Sequence, residues 1–141
     1  ESESRGLGDV YKRQQETLAK NTGSILLYST IAVKQGFTNH TIVSTAKGAI
    51  EGLTLSLAAE FAPKIKVNCI APSLTDAKMT QKLLNNETIK KAIENMHPLP
   101  KIGSGDDFSD IGSFLLSDKN SWITGQIFHI DGGRSSLRIK S

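Results

Sequence analysis

The side chains best able to do chemistry gather around one stretch, NHTIVSTAKGAIEGLTLSLAAEF, residues 39–61. Lys47 stands near the start of what the spacing predicts to be a long amphipathic helix, and Val43 stands four residues, or one turn, before it. An acid–base group at that position would share a face with the ammonium, but valine has no proton to give. Two protic side chains lie close by. Ser44 has a hydroxyl that is a poor acid unless activated and that, within a helix, tends to bond its own backbone. His40 carries an imidazole, which can act as a general acid near neutral pH, an effect typically worth ~100- to ~10,000-fold in rate. Seven residues separate His40 from Lys47, almost two helical turns, so the two point the same way if the helix reaches back that far.

The other candidates read as structural. Cys69, the single cysteine, lies in an apolar run and is expected to be inert core. One cysteine allows neither an internal disulfide nor a thiolate cluster, which fits a reducing compartment, so the expected location is cytoplasmic. His97 precedes Pro98 in a turn, and His129 alternates within a strand as a packed histidine. No two histidines have ligand spacing with a carboxylate, so no metal is expected. Trp122 is expected to pack the base of the last strand.

The elements that must position these groups follow from periodicity. Residues 15–20 read as the end of a helix, stopped by Asn21, Thr22 and Gly23. SILLYS, residues 24–29, is a short apolar run bounded by turn residues, hence a buried strand. A loop through Gly36 leads to the helix over 41–61, whose Ile42, Ala46, Ile50, Leu53 and Leu57 recur at helical spacing as one apolar face, and which Pro63 ends. IKVNCIA, residues 65–71, is a second buried strand cut by Pro72. A helical, lid-like stretch over 79–96 then ends in HPLP. SGDDFSDIGSFLLS begins another helix, with Ser104 as N-cap and Asp107 completing an imperfect capping box. QIFHI, residues 126–130, is a third strand, closed by Asp131, Gly132 and Gly133. Continuous apolar strands alternating with helices predict an α/β, three-layer, doubly wound (Rossmann-like) parallel sheet, or a piece of one.

Composition narrows the function classes. At 141 residues, with 38% apolar and 22% charged residues, the chain has the makeup of one globular domain or part of a larger one. Its net charge of +3 is scattered apart from Arg134, Arg138 and Lys140 near the end. A solvated tail explains that cluster more simply than nucleic acid does, since nucleic-acid binding needs a basic face. No apolar run approaches the ~20 residues that span a bilayer, so no membrane partner is expected. Residues 1–14 have no apolar periodicity and read either as a disordered extension or as a non-native, read-through scar. The domain proper is expected over 15–134, with a tail over 135–141.

Four segments, in this order, resemble the short-chain dehydrogenase/reductase family. GSILLYST, residues 23–30, is like the strand ending in the family's catalytic serine, and VSTAKGAIEGLTLSLAAEFA, residues 43–62, is like the helix of its Tyr-x-x-x-Lys. IKVNCIAPSLTDAKM, residues 65–79, is like its R-V-N-x-I-x-P-G stretch. SDKNSWITGQIFHIDGG, residues 117–133, is like its last strand and closing glycines. The resemblance covers the C-terminal half of such an enzyme. It implies a hydride-transferring oxidoreductase that uses NAD or NADP on a small carbonyl, alcohol or enoyl substrate.

Position by position, the resemblance places Thr30 at the serine and Val43 at the tyrosine. Thr30 keeps a hydroxyl able to hold a substrate carbonyl, and Lys47 would bind the nicotinamide ribose. In the family's enoyl-thioester reductase branch the tyrosine lies seven residues before the lysine, the place of His40, which becomes the candidate proton donor. The backbone around Leu74, with Pro72 and Thr75, would meet the nicotinamide carboxamide. Ser73 replaces the family's glycine after the proline, and Ala77 replaces its threonine. Asn68 and residues 72–75 are expected at a strand's carboxyl end, where ligands bind, with residues 79–96 as a mobile lid. The family's corresponding helix pairs with its copy in a second subunit, so a homo-oligomer through helix 41–61 is expected, with Gly48, Ala49 and Gly52 permitting close approach.

The family's glycine-rich phosphate loop has no counterpart here, since GSGDDF at Gly103 follows a proline turn and starts a helix. Its catalytic asparagine would lie before Gln15. The chain is therefore expected to be truncated, or to be completed by a partner chain. The alternative is a catalytically inactive member that binds a nucleotide or a partner protein.

Overall fold

Three apolar runs make three parallel strands, β1 (Ser24–Tyr28), β2 (Lys66–Pro72) and β3 (Ile127–Ile130), in the spatial order β1-β2-β3. The computed structural model describes residues 12–14, 16 and 22–139. Residues 12–14 and 16 are helical and exposed, and the expectations for residues 1–11 and for most of 15–20 lie outside the described residues. β2 is the middle strand, and it reads as an apolar run interrupted only by Asn68 after Lys66 because both its faces are covered. Val67, Cys69, Ile70 and Ala71 have no exposed surface. Leu27 stands opposite Cys69, and Pro72 opposite Ile130.

Alternation along β1 separates the layers. Ile25 and Leu27 pack toward α1 (Thr41–Phe61), where Ala58 and Phe61 join Ile65 and Val67 in the core. Leu26 and Tyr28 face the other way, toward the helix Asp106–Leu116, where a side chain grown at Gly112 would stand 3.4 Å from Leu26. Two short helices, α2 (Gln81–Leu84) and α3 (Glu87–Glu94), precede that last helix, α4. Helix, parallel sheet and helix make the three layers of a partial doubly wound fold.

Several boundaries differ from the sequence reading. β1 ends at Tyr28, which leaves Ser29 to open the loop. Pro72 belongs to β2 as its last residue, because that position needs only an acceptor: its carbonyl takes the Ile31 N–H at 3.0 Å. The single lid helix over 79–96 is two helices. The side chain of Asn86 accepts from the Thr88 and Ile89 N–H groups and starts a new helix where the first one stops. Of the capping box only the reverse arm forms: Asp107 accepts from the Ser104 N–H at 2.8 Å and from its hydroxyl at 3.0 Å. Trp122 does not pack under the last strand but is 94% exposed.

The largest difference concerns the face of α1. Its apolar stripe is not what it turns to its own sheet: Ile42 is 84% exposed, Ala46 and Leu53 are exposed, and Ile50 and Leu57 are only half-buried. The sheet-facing residues are Ser44, Lys47, Gly48, Glu51, Thr54, Ala58 and Phe61. That face meets the carboxyl end of β1 with polar groups and lies close to the loop, with Val33 3.8 Å from where a Gly48 side chain would begin. Apolar periodicity therefore marks a side turned largely to solvent, with Leu57 packing against the core.

Candidate active site

Lys47 lies half-buried on the inner face of α1, and its ammonium donates to the Tyr28 carbonyl at 2.9 Å, the last carbonyl of β1. One turn further, Glu51 accepts the Ser29 hydroxyl at 2.6 Å. Ser29 is 4% exposed and also lies 3.4 Å from the Lys47 carbonyl. The helix thus grips the end of β1 at two points, which explains a polar inner face at this height. Thr30 follows directly, half-buried, and its Oγ1 accepts from the Ala32 N–H at 3.3 Å. The Ser29 N–H donates to the Ile70 carbonyl and the Ile31 N–H to that of Pro72. These bonds continue the ladder past the strand and bring Thr30, Lys47 and Pro72 to one end of the sheet.

His40 occupies a different setting. The helix begins at Thr41, so His40 is its N-cap residue rather than part of a helical turn, and the two-turn alignment with Lys47 stops one residue short. Its carbonyl already accepts the Ser44 N–H at 2.8 Å. The side chain is exposed, with Nδ1 2.8 Å from the Thr38 carbonyl and the ring tilted against Phe37. Ser44 bonds not its own helix but the Ala32 carbonyl, at 2.9 Å, tying α1 to the loop after β1. Val43 is 47% exposed and offers no hydrogen-bonding group.

Leu74 and Thr75 leave the end of β2 and line a cavity of about 160 Å³ with Ser73, His97, Gly103 and Phe108. Thr75 also pairs with Gly103 as an isolated bridge. Asn68, by contrast, lies in mid-strand. Its amide donates to the Ile123 carbonyl at 2.9 Å and accepts the Gln126 N–H at 3.1 Å, so it holds the loop before β3. Cys69 is fully buried, and that burial pushes its thiol up from the ordinary value, as expected of inert core.

Asp131 closes β3. Burial pushes its carboxyl upward, but hydrogen bonds from Ser135 and from the Gly133 N–H outweigh that and hold it below the usual range. Lys101 leads the groups that lower Asp107, with the Ser104 N–H and hydroxyl adding to it. Gly132 turns the chain here at φ +61°, where a side chain would sit 3.1 Å from the Leu99 carbonyl. Among the described residues no cluster of three potential metal ligands occurs, and no helix is long and apolar enough to cross a membrane.

Two arrangements were beyond sequence reasoning. One is the Ser29–Glu51 pair. The other is a chain of contacts from Arg134 to Ser73 to His97, residues up to 61 positions apart with no shared motif. The replacement of a glycine by Ser73 was the single available signal for the second.

A family model described as enoyl-(acyl carrier protein) reductase matches residues 2–135. The chain is similar to an uncharacterized oxidoreductase of Mycobacterium tuberculosis, 36% identical over 89% of this chain and 48% of that one. It is also similar to the 3-oxoacyl-(acyl-carrier-protein) reductase of Chlamydia trachomatis, 36% identical over 79% of this chain and 45% of that one. Among solved structures, ElxO with NADP bound matches with a TM-score of 0.81 and 32% identity over 89% of this chain and 52% of that one. A short-chain type dehydrogenase/reductase from Mycobacterium ulcerans matches with a TM-score of 0.81 and 27% identity over 92% of this chain and 48% of that one. The chain spans about half the length of the curated relatives it matches.

Proposed function

Because the chain belongs to the short-chain dehydrogenase/reductase family, we propose that the protein transfers hydride between NAD or NADP and a small carbonyl, alcohol or enoyl substrate, this chain forming the C-terminal half of the fold. The observation that carries this reading is the bond of Lys47 to the Tyr28 carbonyl, the last of β1 before Thr30, at the end of the sheet where the Pro72 carbonyl takes the Ile31 N–H and where doubly wound sheets bind their ligands.

The residues present fit the nicotinamide riboside. An ammonium has three donors; one is occupied by the Tyr28 carbonyl, and the others are available to vicinal hydroxyls. Backbone groups of Pro72, Leu74 and Thr75 flank the same end. The dinucleotide, when bound, supplies or accepts the hydride. Thr30 orients the substrate: its oxygen takes the Ala32 N–H, leaving its own O–H for a carbonyl oxygen. His40 supplies the proton. Its Nδ1–H on the Thr38 carbonyl orients the ring and leaves Nε2 for the exchange, with solvent at hand to restore the proton.

Val43 also favours a second reading, an inactive member that binds nucleotide or a partner. The exposed apolar side of α1, with Ile42, Val43, Leu53 and Leu55, supports homo-oligomerisation through that helix, as does its bordering Gly52. The lone buried cysteine supports a cytoplasmic location.

The test is to titrate NADH and NADPH into the 141-residue chain, alone and within any longer reading frame containing it, and then to measure turnover of a carbonyl panel. Nucleotide binding is expected, with His40→Ala lowering turnover ~100-fold or more while binding persists. Unchanged turnover removes His40 from the mechanism, and binding of neither nucleotide removes the oxidoreductase reading.

A further inference from the structure

Arg134 stands beyond the end of β3, half-buried, with its guanidinium 4.9 Å above the ring of Phe37. Nη1 donates to Ser73 Oγ at 3.4 Å and Nη2 to the Met96 sulfur at 3.5 Å, one a long bond and the other to a weak acceptor. The Ser73 hydroxyl proton goes the other way, toward His97 Nε2 at 2.7 Å. His97 is 4% exposed, and its Nδ1–H donates to the Ile93 carbonyl at 2.8 Å. That bond makes Nε2 the acceptor, so Ser73 is the donor to it and turns its lone pairs to Arg134. The guanidinium is thus stacked beneath and pinned at one edge before any ligand arrives.

Among the described residues no carboxylate lies at ion-pair distance from Arg134. Asp131 attracts it from farther off, but the two carboxylate oxygens there accept the Gly133 and Ser135 N–H groups. A partly desolvated cation with unused, fork-shaped donors is the group that binds a carboxylate best. It faces a cavity of about 330 Å³ walled also by Arg138, Phe37, Leu137 and Ile139. That volume is at the small end for ligand sites.

We propose that this cavity is a carboxylate subsite, in which Arg134 takes the carboxylate through two parallel hydrogen bonds and Phe37, Leu137 and Ile139 cover a short aliphatic chain. The cavity is lined from the loops after β1 and β3, the carboxyl end of the sheet. Resting on the reading in the preceding section, this assigns the substrate to oxo- or hydroxy-carboxylic acids whose acid group is remote from the reacting carbon.

The test compares octanoate with 1-octanol by calorimetric titration into the 141-residue chain and its variants Arg134→Met and Arg134→Lys, with NADPH titrated separately. Octanoate is expected to bind about 10- to 100-fold tighter than the alcohol, the worth of a charged hydrogen-bonded pair. Arg134→Met is expected to erase that preference and Arg134→Lys to keep part of it, because lysine retains charge without the fork. Equal binding of the two ligands by the unaltered chain, or an undiminished preference in Arg134→Met, overturns the subsite. If a thermal melt shows Arg134→Met unfolded, the unaltered chain and the lysine variant decide, a preference unchanged by lysine counting against the fork. An octanoate preference in this chain, with no NADPH binding by any longer reading frame containing it, leaves the subsite standing and removes the oxidoreductase reading; NADPH binding by the longer frame with no octanoate preference does the reverse.

Discussion

The grip of α1 on the end of β1 can be broken at Ser29 without touching Lys47. Ser29→Ala removes a hydroxyl that donates to the Glu51 carboxylate at 2.6 Å from a residue 4% exposed. A charge-assisted hydrogen bond is worth about 1.5–3 kcal/mol. Glu51 is only half-buried and recovers part of its solvation when its partner is lost, so a loss of about 1–2 kcal/mol is expected. Glu51→Gln weakens the same bond but leaves an amide oxygen to accept it, so about 1 kcal/mol is expected there. Because both substitutions act on one contact, the double variant should lose less than their sum, with a coupling of about 1 kcal/mol. Urea unfolding measures this directly, as a shift of midpoint at constant slope. Each kcal/mol should also lower the melting temperature by about 3–5 °C in a chain of this size. Additive losses, or a Ser29→Ala change under about 0.3 kcal/mol, would mean that water screens the pair and that something else holds α1 on the strand end.

Further outcomes follow from the same structure. Asn68→Ala should cost about 1–3 kcal/mol, read by urea unfolding, because the 1% exposed Asn68 side chain holds the Gln126 N–H and donates to the Ile123 carbonyl. Asp131 has its carboxyl held down in the folded state, so its contribution to stability is complete above its unfolded value of about 3.9 and is lost as the pH falls through the lower folded value. Unfolding free energy measured from pH 6 downward should therefore fall below about pH 4, and Asp131→Asn should flatten that limb. Cys69 should resist a thiol reagent at pH 8 in the native chain and react on denaturation, since burial both shields and raises the thiol. Rapid native labelling would show that β2 opens readily.

The strands, the long helix and the layered class were legible because each rests on local composition: three apolar runs bounded by turn residues, and a helix whose limits at Thr41 and Phe61 match its periodicity. The candidate site was legible only as spacing. Lys47 could be placed on the helix, but its bond to the Tyr28 carbonyl depends on how deeply α1 seats against β1, which no run of residues encodes. Likewise, the alignment of His40 with Lys47 depended on one more residue of helix than forms.

Chain-local physics thus determined which segments are strands and helices, and that they alternate into a parallel sheet. Only tertiary structure decided which side of α1 is inside, because most of the apolar stripe, Ile42, Ala46 and Leu53, is exposed, while a face of Ser44, Lys47, Glu51, Thr54, Ala58 and Phe61 seats on the sheet. Only tertiary structure, too, brought Arg134, Ser73 and His97 into one line. Contacts between residues so far apart are set by the register and packing of three strands, and those are properties of the assembled sheet rather than of any segment within it.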